Sequence, residues 1–187
     1  MVIKKIFLLC ICGIFAFAFK IDNINYNSFE ADFIQKVVDL SNKTLIYEGK
    51  FYYQNEKSLW QYLNPDEKKV YITKNEVVII DDDLEQVIIS KEQIDLANIL
   101  KNVSLYEKIE GFVIYKAKYD NIIYYVKVLN NLLTNISYKD ELDNQVSIDF
   151  INSKINLKIN NDIFKYSIPK NYDVIRWGYG NRYWFKR

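Results

Sequence analysis

Large apolar side chains alternate with polar ones through most of this chain, and residues 44–90 carry the pattern most densely. Leu45, Tyr47, Gly49, Phe51 and Tyr53 fall on one side of an extended segment, and Ile46, Glu48, Lys50, Tyr52 and Gln54 on the other. That period of two defines a β-strand. Four further extended segments follow at 58–63, 68–73, 77–81 and 86–90. Asn64-Pro65-Asp66, Lys74-Asn75-Glu76 and Asp82-Asp83 separate them, and all are turn formers. The expected product is an antiparallel meander. Its side chains are too large and too aromatic for an ordinary half-buried sheet, so the meander reads as the wall of a cavity.

Upstream, Phe29, Ala31, Phe33, Gln35 and Val37 alternate with Glu30, Asp32 and Lys36, which predicts another strand. A short helix capped by Ser28, with Phe29 and Phe33 at i,i+4 spacing, is the alternative. After Ser90 the period changes. Ile94, Ala97 and Leu100 share one helical face between Lys91-Glu92 and Asn102, predicting a single amphipathic helix. Strands are expected again at 106–110, 112–118, 122–129, 132–139 and 145–154. Gly111, Tyr119-Asp120-Asn121, Asn130-Asn131 and residues 140–144 form the turns. A last strand is expected where Ile163, Lys165 and Ser167 alternate with Phe164, Tyr166 and Ile168, ended by Pro169. No internal repeat or low-complexity linker divides the chain.

Residues 1–18 stand apart from this pattern. Lys4 and Lys5, the apolar run 6–15 and Ala16-Phe17-Ala18 have the layout of a secretory signal cleaved before Phe19. A membrane anchor is the alternative, but the run is shorter than the ~20 residues a bilayer demands. Cys10 and Cys12 lie too early and follow residues too bulky for lipid attachment. Cleavage would remove both cysteines, and Lys4 and Lys5 from the 25 basic residues. That leaves 23 basic against 24 acidic residues, a formal charge of −1, on a chain of 169 (187 less 18). One domain of that length has room for a proper core.

Interspersed charges near neutrality give no electrostatic case for nucleic acid. With no histidine anywhere and no thiol after cleavage, the commonest general bases, nucleophiles and zinc ligands are missing. No serine has a Gly-x-Ser-x-Gly setting. Asp81-Asp82-Asp83 with Glu85 lacks the Asp-x-Asp-x-Asp-Gly frame of a calcium loop and reads as a turn. Neither a cofactor nor enzymatic activity is expected. An aromatic content of 16% supplies the apolar area that a disulfide-free exported domain needs, although the abundant Tyr and Asn fit a biased genome equally well.

Several landmarks fall in a telling order. They are residues 28–35 (Ser-Phe-Glu-Ala-Asp-Phe-Ile-Gln), Glu48-Gly49-Lys50-Phe51, Leu59-Trp60-Gln61-Tyr62 with Pro65, and Asp83-Leu84-Glu85-Gln86-Val87. Asn156, the run 162–169, Tyr172 and Val174 follow them. Together they resemble the LolA family of periplasmic lipoprotein carriers, over roughly residues 26–175. The resemblance implies a mainly β fold, an incomplete and strongly curved antiparallel β-barrel with a small α-helical lid over an apolar cavity. It also implies a chaperone that takes acylated lipoproteins from an inner-membrane lipoprotein-releasing ABC transporter and passes them to an outer-membrane receptor where one exists. Location in the periplasm, a monomeric state and no nucleic-acid partner go with it. Two positions depart from the family. Only residues 19–27 precede the first long strand, where an amphipathic helix is usual, and Gln54-Asn55-Glu56 stands where an arginine and proline latch the lid.

The division expected is a signal at 1–18, a half-barrel domain at 19–175 and a basic, aromatic tail at 176–187. A sheet with bulky residues on both faces needs a second layer or a ligand, and one short helix cannot cover it. The expected acyl-chain cavity is therefore lined by Phe33, Tyr47, Phe51, Trp60 and Tyr62 of the wall and Ile94, Ala97 and Leu100 of the helix. Each of these alone also fits an ordinary core. The alternatives are the same half-barrel used as a lipid-sensing regulatory module, or as the receptor, which would need a lipid-attachment cysteine.

Overall fold

Turn chemistry divides the chain into strands. The computed structural model describes residues 20–21, 24–91, 103–119 and 121–177. Two short strands, β1 (Lys20–Ile21) and β2 (Ile24–Asn25), pair with each other. The first meander runs through β3 (Ser28–Val38), β4 (Thr44–Gln54), β5 (Lys57–Asn64), β6 (Lys68–Ile72), β7 (Val77–Asp81) and β8 (Gln86–Ser90). The second runs through β9 (Ser104–Ile109), β10 (Phe112–Tyr119), β11 (Ile122–Leu129), β12 (Leu132–Lys139) and β13 (Gln145–Ile155). Last comes β14 (Asp173–Trp177). Left-handed backbone at the hairpins falls mostly on asparagine, including the pair Asn130–Asn131 between β11 and β12 and Asn55 between β4 and β5. Asparagine tolerates that conformation better than other residues with a Cβ, so the Asn-rich composition has a structural use here.

The two meanders join because β13 pairs antiparallel with β3, setting Phe150 opposite Phe33 and Ile148 opposite Gln35. The result is one open, curved sheet of twelve strands, with β14 and β9 at its ends. Register shifts in β4, β10, β11 and β13 place bulges along it, and bulges bend and twist the strands that carry them. The sheet is antiparallel except at β14, which lies parallel to β8.

Each face has its own apolar cluster. The inner face gathers Phe29, Phe33, Phe51, Trp60 and Phe150 with residues of β10 to β12. On the outer face, Leu59, Tyr71, Val78, Ile80, Val87 and Ile89 of β5 to β8 pack under Ile159 and Phe164. The covering layer is the segment 156–172, which crosses the sheet as a strap. Asn156 and Leu157 bond to Ser28, Tyr166 Oη donates to Glu76 at 2.8 Å, and Tyr172 Oη donates to Asp82 at 2.9 Å.

This strap corrects the sequence reading in one place. The strand expected at 163–168 is absent; a 3₁₀ turn (Asn161–Phe164) stands there, followed by irregular chain. The Asn160 side chain accepts the Asp162 N–H at 3.0 Å and starts the turn, while Ile159 and Phe164 supply the buried anchors. The alternation at 163–168 is therefore not strand pleating, and β14 occupies the free edge of β8 instead. The strap also accounts for the bulky outward residues of β5 to β8 without a ligand. β14 carries regular structure to Trp177, two residues into the stretch read as a tail. The predicted helix with Ile94, Ala97 and Leu100, and the signal at 1–18, lie outside the described residues.

Candidate functional site: the inner aromatic face

Strand alternation and register place five of the eight expected cavity residues side by side. Phe33 is on β3, Tyr47 and Phe51 on β4, and Trp60 and Tyr62 on β5, all pointing inward and all buried. Phe51 sits opposite Trp60, with ring centroids 4.3 Å apart. Phe33 meets Trp60 edge to face at 5.1 Å and Tyr62 at 5.0 Å, and Tyr47 meets Tyr62 at 6.0 Å. These are favourable geometries for aromatic pairs, each worth about 0.5–1.5 kcal/mol beyond the area buried.

Gly49 makes the arrangement possible. A Cβ at this position would lie 2.1 Å from the Gln61 carbonyl oxygen and 2.7 Å from the Phe33 ring, so the ring rests directly on glycine backbone. Glycine in a strand often marks such a close approach, and here it coincides with the β4 bulge.

The inner face is chemically divided. Around Phe29, Phe51, Trp60, Phe150 and Leu133 it is mainly apolar. Toward the other side come hydroxyls and an amide. Tyr62 Oη donates to Gln35 Oε1 at 2.9 Å, and Tyr124 and Tyr138 pair across β11 and β12 with rings 4.9 Å apart. Burial pushes the Tyr62 and Tyr138 hydroxyls well above the usual tyrosine range, first through desolvation and then through neighbouring tyrosines. Tyr47 is raised too, by desolvation and then by Asp66. These groups act as neutral hydrogen-bonding hydroxyls at any physiological pH. Tyr26, ahead of β3, stacks on Phe29 at 5.5 Å, and its hydroxyl joins the β11–β12 turn by donating to Asn131 O and accepting from Leu133 N.

Phe150, Gln35, Tyr124 and Tyr138 were not among the candidates from sequence. Phe150 and Gln35 alternate correctly within predicted strands, but the β3–β13 pairing that brings them to this face links residues far apart in the chain. Gln54 has a definite partner: its Nε2 donates to Ile159 O at 2.9 Å and to Asn161 Oδ1 at 3.0 Å, and its Oε1 accepts the Ile159 N–H at 2.8 Å. It holds the outer strap.

The acidic run behaves as a turn. Asp81 pairs with Lys68 at 2.9 Å, Asp82 accepts from Tyr172, and Asp83 accepts the Glu67 N–H at 3.1 Å, so the three carboxylates point to different partners.

Known proteins place this architecture. The family model for "Outer membrane lipoprotein carrier protein LolA" matches residues 25–108. An outer-membrane lipoprotein carrier protein of Campylobacter jejuni is 44% identical over 156 residues, which cover 82% of this chain and 89% of that protein. One from Helicobacter pylori J99 is 32% identical over 157 residues, covering 81% and 82%. Among solved structures, an uncharacterized conserved protein from Thermus thermophilus shares the fold with a TM-score of 0.55 at 14% identity, over 81% of this chain and 91% of that one.

Proposed function

This chain belongs to the LolA family of outer-membrane lipoprotein carriers, and from that premise we propose that it binds the acyl chains of lipoproteins released from the inner membrane and delivers them to the outer membrane. It does so as a periplasmic chaperone, by carriage rather than catalysis. The observation that carries this reading is the inner aromatic face of an open sheet, contributed by Phe33, Tyr47, Phe51, Trp60 and Tyr62.

Acyl chains account for such a face. Each methylene moved out of water is worth about 0.8 kcal/mol, so a chain of about 15 methylenes carries roughly 12 kcal/mol of gross driving force. A ring-to-ring contact adds only about a tenth of that beyond the apolar area it buries, and an acyl chain lying between the rings keeps that area out of water. An entering chain can therefore part the buried rings and replace their contacts with its own. The membranes at either end bury the same methylenes equally well, so a carrier has to hold its cargo moderately and give it up. Rings that close on one another when empty lower the net affinity in that way. The Tyr62 hydroxyl, bonded to Gln35, gives this face a polar edge on the side toward Tyr138. An inner-membrane releasing transporter and, where present, an outer-membrane receptor are the partners, and the carrier works as a monomer.

The test is release from spheroplasts. Purified protein should bring an acylated lipoprotein into the supernatant as a soluble complex, and a Phe51→Glu variant should not. If lipoprotein stays in the membrane with the wild-type chain, the carrier reading fails.

A further inference from the structure

The two ends of the sheet differ on their outer face. Over β5 to β8 the strap covers the apolar side chains, whereas over β9 to β12 none of the described residues forms such a layer. We propose that the outer face of β9–β12 docks on the anionic headgroups of a lipid bilayer.

The register defines this surface. Lys116 lies opposite Tyr125, Ile114 opposite Lys127, and Lys118 opposite Ile123, all on the side away from the buried Tyr115, Ala117, Tyr124 and Val126. Apolar groups remain in solvent there: Tyr106 is 54% exposed, Ile109 43% and Leu129 40%. Lysines are set among them. Lys127 Nζ lies 3.9 Å from the centre of the Phe112 ring, and Lys116 Nζ lies 5.6 Å from the Tyr106 ring and 5.9 Å from that of Tyr125. The described ion pairs use Lys68, Lys69, Lys154 and Lys165, so these cations keep their charge for an external partner.

Charge selects the occupant. The outward side of these four strands carries Lys116, Lys118, Lys127 and Lys139 against Glu107. Beside it, a depression of about 1060 Å³ is lined by Lys36, Tyr125, Ser137 and Lys139 together with Asp140, Glu141 and Asp143. Asp140 is already engaged, accepting the Leu142 and Asn144 N–H groups at 2.9 Å. Further along, Glu30, Asp32, Glu48 and Asp149 point outward from β3, β4 and β13 against Lys36, Lys50 and Lys154, so that part of the sheet has no cationic excess to attract an anionic surface. Contact is thereby confined to the β9–β12 end. Tyrosines at an interface and lysines whose stems lie along apolar surface are the chemistry of a bilayer boundary rather than of a shaped protein socket.

Vesicle flotation at low ionic strength tests this without any lipoprotein, so its outcome is independent of the carrier reading. The protein should float with vesicles of equal parts phosphatidylcholine and phosphatidylglycerol, and not with phosphatidylcholine alone. Each lysine is worth about a fivefold change in partitioning, so Lys116→Gln with Lys127→Gln should lower it roughly 25-fold. Salt at about 1 M, where the Debye length is about 3 Å, should abolish it. Near-ultraviolet circular dichroism confirms that the double variant is folded. No flotation by the wild type, or flotation unchanged in the double variant, overturns the proposal. If the wild type does not float but the double variant still loses lipoprotein release from spheroplasts, the face serves an acidic protein and the bilayer assignment is wrong.

Discussion

Replacing Gln54 tests whether one side chain fastens the outer strap to the sheet. Its three hydrogen bonds satisfy both the N–H and the C=O of Ile159, a residue 7% exposed. Gln54→Ala leaves two buried peptide groups without partners, each costing about 1–3 kcal/mol. Some water will enter the space left by the side chain, so a total near 2–4 kcal/mol is expected. For a domain of this size that lowers Tm by roughly 5–15 °C. The loss should also be local. Lys158, Lys165 and Lys170 lie exposed along the strap, and trypsin should cut there faster in the variant than in the wild type while the inner face stays intact. Gln54→Glu separates the donor from the acceptor. It keeps an oxygen for the Ile159 N–H but buries a carboxylate against Ile159 O. Burial raises that carboxyl's pKa in the folded state, so the penalty is absent below about pH 4 and grows as pH rises above it. The variant should therefore approach wild-type stability on acidification. A Gln54→Ala protein with Tm within about 2 °C of wild type and unchanged strap cleavage would refute the reasoning.

Gly49→Ala should destabilise by about 1–3 kcal/mol or more, read as a lowered urea midpoint, because the new methyl meets the Gln61 carbonyl at 2.1 Å; a neutral effect would mean the β4 bulge is pliable. Tyr62→Phe removes the donor to Gln35 and should cost about 1–2 kcal/mol at unchanged urea m-value. In alkali, the unfolded chain ionises its tyrosines above about pH 10 while burial holds Tyr62 and Tyr138 neutral in the fold, so stability is unaffected below that pH and falls above it. Tyrosinate absorbance should then lag until the sheet unfolds, and a complete titration near pH 10 with the sheet intact would contradict this.

Most strands were legible because they are half-buried and their alternation is local. β4, β7, β8, β11 and β12 fall where the period of two places them, and the inward set on β3 to β5 follows from parity alone. Three features were not legible. The β3–β13 pairing closes a separation of more than 100 residues, and local periodicity carries no information about which strands meet. Residues 163–168 imitate a strand, but a strand needs a free edge as well as a pattern, and Asn160 diverts the chain into a turn first. Gln54 reads as a polar residue at a hairpin. Only the return of the strap at Ile159, 105 positions later, gives its amide a purpose.

The central claim is that the inner face holds acyl chains, and native mass spectrometry reads it directly. The purified protein is mixed with a triacylated lipoprotein N-terminal peptide, or with the same peptide lacking its acyl chains. A single adduct with the acylated peptide alone is predicted, with emission from Trp60 shifting to the blue in a variant whose Trp177 and Trp184 are phenylalanine. No adduct, or equal adducts with both peptides, would contradict the account.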